Sequence, residues 1–397
     1  AGRRSEFAAL IRRETGLAAC EAEYETGRTS DVLEAAACEA LRDDGQVFSG
    51  DVSPAGKQRK IITVRQPLAL AAAITPFNHP LNQVAHKLAP AIAAGTPVLL
   101  KPSEKTPLTA IRFTELLYEA GLPGPMLSTF VGSIEEVIEP LVQHSAIELL
   151  CFTGSVAIGK RVAEIAGYKK LCLELGGNSP LIVLDDADVD LAASLAAEGC
   201  YRNSGQRCTA VKRLLVQRGI LAKFTDRLVE TTRAYQSGDP SDPETRVGTV
   251  IDAEAAMAIE RRVRSCGGSV LIGGGREGAL IPPTVVENVP RDSELVVEET
   301  FGPVAPIVPI ENLDDAIDYY NSGRFGLSSG IVTNDLGAAI SAAKRLRTGT
   351  TNINDVPGYR IESSPFGGVK DSGLGIKEGV VEAMKFMSNV KTVSFPW

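Results

Sequence analysis

Residues 147–177 read IELLCFTGSVAIGKRVAEIAGYKKLCLELGG. A short apolar run ends in Phe-Thr-Gly-Ser. A stretch with apolar residues at three- and four-residue spacing follows and stops at a glycine, and a second apolar run closes the segment. This predicts strand, helix, strand, and so a parallel pair joined by a helix. The same unit repeats upstream. HPLNQVAHKLAPAIAAG (79–95), TPLTAIRFTELLYEAG (106–121) and EEVIEPLVQH (135–144) read as helices, and PVLLK (97–101) and LSTFVG (127–132) as strands. The alternation predicts a parallel sheet covered on both faces, with its ligand at the carboxyl ends of the strands.

A second alternating region starts at SPLIVL (179–184), so the domain boundary is placed near Gly177. Helical patterns cover 221–235, 253–268, 313–323 and 336–349; strands are expected at 213–217, 269–274 and 327–334; residues 294–310 read as extended and 238–249 as a surface loop. Residues 1–45 read as helices, and 57–74 as extended segments for which a hairpin is one arrangement. The final NVKTVSFPW (389–397) reads as an apolar strand. An unpaired strand is a liability, so it is expected to pair with another subunit.

The 397 residues allow two domains with real cores. A net charge of −8 without a long basic run argues against nucleic acid as a partner. The most apolar run, PLALAAAITPF (67–77), is shorter than the roughly 18 residues a membrane span needs. Seven cysteines, an odd number without a CxxC, argue against a disulfide framework and for a reducing compartment, read here as the cytoplasm. Only three histidines are present, and no metal is expected. No secretory leader is visible, and the chain opens at Ala1 inside a helical pattern, which suggests a preceding segment.

Three residues suggest chemistry. Cys208 lies in NSGQRCTAVKR (203–213), a polar stretch with Arg207 beside it. An adjacent cation lowers a thiol pKa, although an inert buried cysteine is the commoner case. Glu174 stands between two leucines at the end of an apolar run, so it must be paired, protonated or functional. Asn78 lies between Pro76 and Pro80; it is a turn former or a rigidly held amide donor for an oxyanion. The FTGS turn before a helix offers N–H groups to a pyrophosphate. In KPSEKTP, Glu104 could accept from a ribose hydroxyl, which favours NAD over NADP.

TPFNHPLN, KPSE, FTGS, LELGGN, GQRC, EETFGP and SPFGGVKDSGLG occur in this order between about Arg59 and Trp397. Together they resemble the aldehyde dehydrogenase superfamily. The resemblance implies an α/β fold: a Rossmann-type dinucleotide-binding domain (1–177), a catalytic domain (178–375), and a β oligomerisation hairpin at about 49–67 joined by the C-terminal strand, within a return segment 376–397. It implies Cys208 as nucleophile, Glu174 as general base and Asn78 as oxyanion donor. The dinucleotide site falls on Thr75, Pro76, Phe77, Lys101, Ser103, Glu104, Gly132, Phe152, Gly154, Ser155, Ile158, Leu175, Gly176, Glu299 and Phe301. NAD is the implied cofactor, NADP the weaker one, and a homodimer or homotetramer the implied assembly. Glu174 argues for hydrolysis of a thioester rather than its transfer to coenzyme A.

Arg28, His79 and Arg207, with Arg360 as a further candidate, place cations near one funnel and imply a small anionic aldehyde. Surface or ion-paired arginines are the alternative. In these details the chain most resembles phosphonoacetaldehyde dehydrogenases, which convert phosphonoacetaldehyde to phosphonoacetate during 2-aminoethylphosphonate breakdown. Lactaldehyde, glycolaldehyde and carboxylate semialdehydes are the alternatives, and a non-catalytic scaffold is disfavoured by the three catalytic residues together.

Overall fold

The computed structural model describes residues 2–42, 44–375 and 378–397. Two helices, α1 (Arg4–Thr15) and α2 (Ala19–Glu39), open the chain and bury Phe7, Ile11, Ala22 and Val32 against the first core. Strand β1 (Val47–Phe48) pairs antiparallel with β2 (Arg59–Pro67), and β3 (Ala71–Ile74) then enters a different sheet. Residues 57–74 therefore do not form one hairpin: the chain leaves the exposed ribbon at Leu68 and buries the four residues of β3 completely.

The first sheet is built from β3, β4 (Val98–Lys101), β5 (Leu127–Thr129), β6 (Leu149–Thr153) and β7 (Lys170–Glu174) in the order β5-β4-β3-β6-β7. Every pairing in it is parallel. The crossovers are α3 (Asn82–Ala94), α4 (Pro107–Glu119), α5 (Ile134–Gln143) and α6 (Val156–Ile165). The order reverses between β3 and β6, which opens a crevice at their carboxyl ends.

Between Glu174 and Ser179 the chain crosses into a seven-stranded sheet, ordered β10-β11-β12-β9-β8-β13-β14. Its strands are β8 (Ser179–Val183), β9 (Val211–Gln217), β10 (Ser269–Ile272), β11 (Thr284–Glu287), β12 (Val304–Ile310), β13 (Ser328–Val332) and β14 (Thr350–Ile353). Only the β10–β11 pairing is antiparallel. Helices α7 (Val189–Tyr201), α8 (Leu221–Arg233), α9 (Ala253–Arg264), α10 (Glu294–Val297), α11 (Leu313–Ser322) and α12 (Leu336–Arg345) belong to this half. Residues 294–310 are thus extended only in part: Glu294–Val297 forms a helical turn that buries Leu295 and Val296.

The chain then returns. α13 (Val380–Phe386) sets Val380 into the first core, and β15 (Ser388–Pro396) pairs antiparallel with β2 over its whole length. The terminal strand finds its partner within its own chain. Its other edge carries no strand among the described residues, and Val390, Phe395 and Trp397 are exposed. No described helix is long and apolar enough to cross a membrane.

Candidate active site

The carboxyl ends of β3, β4, β6 and β7 face the loop that precedes β9, and a cleft of about 430 Å³ lies between them. That volume suits a small-molecule or cofactor site. Cys208, Glu174 and Asn78 all line it. So do Thr75, Pro76, Phe77, Lys101, Ser103, Glu104, Phe152, Gly154, Ser155, Ile158, Leu175, Gly176, Glu299 and Phe301. Gly132 does not: it lies just before α5, where an added Cβ would come within 2.9 Å of Val137, and Ile134 lines the cleft instead.

Local geometry explains the arrangement. Asn203, Ser204 and Gly205 take consecutive left-handed conformations, with φ of 57°, 52° and 69°. At Gly205 a Cβ would stand 2.1 Å from the Gly302 carbonyl oxygen, so the turn needs glycine. Lys212, fully buried, pins it by donating to the Gly205 carbonyl at 2.6 Å. The turn delivers the Gln206 carbonyl, which accepts from Asn78 Nδ2 at 2.8 Å. One hydrogen of that amide is thereby used, and the other remains for a ligand. Gly177 lets the strand end approach: its Cβ would meet the Cys208 carbonyl oxygen at 2.3 Å.

A dinucleotide fits the donors present. The Thr75 and Thr153 hydroxyls line the cleft, are buried and have no hydrogen-bond partner among the described residues. Ser155 caps α6, its Oγ accepting from Ile158 N–H. Lys101 and Glu104 pair at 3.0 Å, and Lys105 pairs with Asp252 at 2.6 Å across to the second half. Phe77 and Phe301 meet edge to face with centroids 5.9 Å apart.

Charge in the cleft is buried and unevenly compensated. Burial, then Glu174 and Glu299, push the Cys208 thiol up to about 12; Arg360 and Arg207 pull the other way. The guanidinium beside the thiol is thus outweighed by desolvation, contrary to the expectation of a lowered thiol pKa. Burial raises Glu299 to about 7 against the pull of Lys212, and lowers Lys212 to about 8.

The four cationic candidates lie outside the cleft lining, around Asn78 and Cys208. Arg28 is ion-paired to Glu362, whose other oxygen accepts from His86 Nε2 at 2.5 Å. Burial and Arg360 hold His86 below its usual pKa, so it is a neutral donor. His79 Nδ1 stands 3.6 Å from Glu25 Oε2 without a hydrogen bond. Arg202 pairs with Glu21 at 3.2 Å and stacks 4.0 Å over the Tyr24 ring. Arg207 makes no ion pair among the described residues, and its Nη1 is buried without a partner. Desolvation, then Arg202, lower its pKa to about 10. Arg360 stacks 4.1 Å over Phe366 and also leaves Nη1 unpartnered. Glu21, His86, Lys212 and Glu362 escape sequence reading, because their partners are remote in the chain.

A thiol, a carboxylate and an amide donor around one cofactor-sized cleft suit an oxidoreductase of carbonyl compounds. The chain belongs to the aldehyde dehydrogenase family, whose sequence profile it matches over residues 1–393. It is an oxidoreductase acting on aldehydes. It is 38% identical to the 3-sulfolactaldehyde dehydrogenase of Priestia aryabhattai over 394 residues, 98% of this chain and 82% of the relative. It is 38% identical to the sulfoacetaldehyde dehydrogenase of Neptuniibacter caesariensis over 392 residues, 98% of this chain and 85% of that one. Lactaldehyde dehydrogenases from Methanococcus species are also similar. Among solved structures, aldehyde dehydrogenase 21 from Physcomitrella patens, in complex with the reaction product succinate, superposes with a TM-score of 0.95 at 36% identity, covering 100% of this chain and 83% of that one. Similar solved structures include NADP complexes and an NAD-dependent enzyme.

Proposed function

We propose that this chain oxidises a small aldehyde carrying an anionic oxo-acid group to its carboxylic acid, through a thioester on Cys208. The observation that carries this reading is the half-buried Arg207 guanidinium beside the nucleophile, whose Nη1 is buried and unpartnered and which has no carboxylate partner among the described residues. A buried unpaired cation is costly unless a ligand compensates it. Sulfonate, phosphonate and carboxylate oxygens all suit a guanidinium fork.

The relatives' names favour sulfonated two- and three-carbon aldehydes. Phosphonoacetaldehyde, to which the motif details point, presents similar oxygens and stays in the same class, as does a carboxylate semialdehyde. Lactaldehyde is a second reading, supported by the Methanococcus relatives.

In the proposed mechanism Cys208 gives up its proton to solvent in the cleft and its sulfur adds to the aldehyde carbon. The oxyanion accepts from the second Asn78 amide hydrogen and from the Cys208 backbone N–H. A nicotinamide dinucleotide bound in the cleft supplies the hydride acceptor. Glu174 then takes a proton from water, which opens the Cys208 thioester and releases the acid. Thr75, Thr153, Lys101, Glu104, Ser155 and Glu299 would hold the dinucleotide. We read NAD as preferred, because the Glu104 carboxylate disfavours a 2′-phosphate. We also read the open edge of β15 as an assembly surface for a homodimer or homotetramer, and the free thiols as those of a cytoplasmic enzyme.

The test is the rate of nicotinamide reduction with sulfoacetaldehyde, phosphonoacetaldehyde, lactaldehyde and propionaldehyde. The expected result is a kcat/KM at least roughly a hundredfold higher for an anionic aldehyde, about 2.7 kcal/mol. A flat profile, or one led by lactaldehyde, removes the anionic substrate and leaves the dehydrogenase.

A further inference from the structure

We propose that Gly358 is a specificity-determining position whose missing side chain gives the Arg207 guanidinium its seat. This rests on the anionic-substrate reading above. A Cβ on Gly358 would stand 2.2 Å from Arg207 Nη2, 3.3 Å from its Cζ and 2.7 Å from Thr209 Oγ1. The φ of Gly358 is not in the left-handed region, so the backbone does not ask for glycine here. What asks for it is the space taken by the Arg207 guanidinium, the closest neighbour, with the Thr209 hydroxyl beside it.

The loop itself has little room to yield. Asn352 Nδ2 donates to the carbonyls of Val356, Pro357 and Tyr359 at 2.8, 3.2 and 3.1 Å. Asn354 holds a left-handed φ of 53°, and its N–H donates to the Ile331 carbonyl at 2.7 Å. Thr333 N–H donates to the Asn354 side chain at 3.0 Å. Gly330 in β13 lies close enough to the loop that a Cβ there would meet the Asp355 carbonyl oxygen at 2.7 Å.

The guanidinium is the part that gives way. It ends a long side chain, and its Nη1 has no hydrogen bond to hold it. A methyl group at 358 therefore evicts Arg207 while the loop stays put. The side chain at 358 sets whether a cation stands beside Cys208, and so whether the enzyme takes charged or neutral aldehydes.

The experiment compares Gly358→Ala, Arg207→Ala and the double variant on sulfoacetaldehyde and propionaldehyde, with thermal midpoints. We expect Gly358→Ala to raise KM for sulfoacetaldehyde roughly tenfold or more, with kcat/KM for propionaldehyde within about twofold and the midpoint unchanged. The double variant should be no worse than Arg207→Ala, because Gly358 acts through Arg207. If Arg207→Ala collapses the preference and Gly358→Ala does not, the seat is wrong and the anion site stands. Additive losses, or a Gly358→Ala variant that loses both substrates together with its midpoint, also overturn the seat. If Arg207→Ala costs both aldehydes equally, the anion site itself fails, and the seat with it.

Discussion

On the dinucleotide side of the cleft both lining lysines have a carboxylate, Lys101 with Glu104 at 3.0 Å and Lys105 with Asp252 at 2.6 Å. On the other side Arg28 and Arg202 are paired, but Arg207 and Arg360 each leave a buried nitrogen unsatisfied. The first side pairs its lysines and offers neutral hydroxyls. The second is incomplete. Where a fold leaves a buried cation uncompensated, a ligand that supplies the charge gains more there than at a finished ion pair. The incompleteness is what the proposed anionic substrate would fill.

The largest effect should come from the groups between the two sides. Cys208→Ser should lower kcat by at least about 10³-fold on every aldehyde. Glu174→Gln should lower turnover by roughly 10²–10⁴-fold and let a thioester on Cys208 accumulate, visible by intact-protein mass spectrometry. Normal acid release by Glu174→Gln would move the base role to another group.

A finished buried pair behaves differently when broken. Lys87 and Glu378 meet at 2.7 Å behind β6 and β7, both nearly inaccessible. Glu378→Ala leaves the lysine charge alone and should cost about 3–5 kcal/mol of stability, read from denaturant unfolding. Arg207→Met should do the opposite. It removes a charge that no partner repays, so the unliganded protein should gain about 1 kcal/mol, while an anionic aldehyde loses about 2–4 kcal/mol of transition-state binding, much more than propionaldehyde does. A destabilised Arg207→Met would show that the guanidinium is satisfied, and the contrast between the two sides would disappear.

The strand–helix alternation from His79 to Gly177 was legible because the strands are short and apolar and the segments between them carry apolar residues at helical spacing. FTGS before α6 and KPSE after β4 were legible as cleft residues because a strand end running into a helix N-terminus is a local pattern. Strands β11 and β14 were not: Thr284–Glu287 and Thr350–Ile353 are four residues each and gain their meaning only from parallel neighbours. The terminal strand was legible as an apolar run, but nothing local tied it to β2, more than 300 residues earlier; only the family resemblance, which joined it to a hairpin at about 49–67, pointed to that partner. The charged side was legible in its cations and opaque in its balance. That Arg28 is paired and Arg207 is not depends on Glu362 and Glu21, which no spacing rule connects to them.

The smallest effect tests whether the unpaired guanidinium reaches the thiol at all. With Cys208 pushed up to about 12, the thiolate fraction climbs with pH through the neutral range. Alkylation of the Cys208 peptide by iodoacetamide should therefore quicken by about tenfold per pH unit from 7 to 9, without a plateau. Glu299, at about 7, gains charge near the lower end of that range and holds the thiol higher, so the slope there should be slightly shallower. Arg207 pulls the thiol down, but less than Arg360 does. Arg207→Ala should then slow alkylation only a few-fold, much less than it slows turnover of an anionic aldehyde. If the wild-type curve levels off near pH 8 and Arg207→Ala abolishes the plateau, the arginine's main task is to activate the nucleophile, and the charge on that side belongs to Cys208 rather than to the substrate.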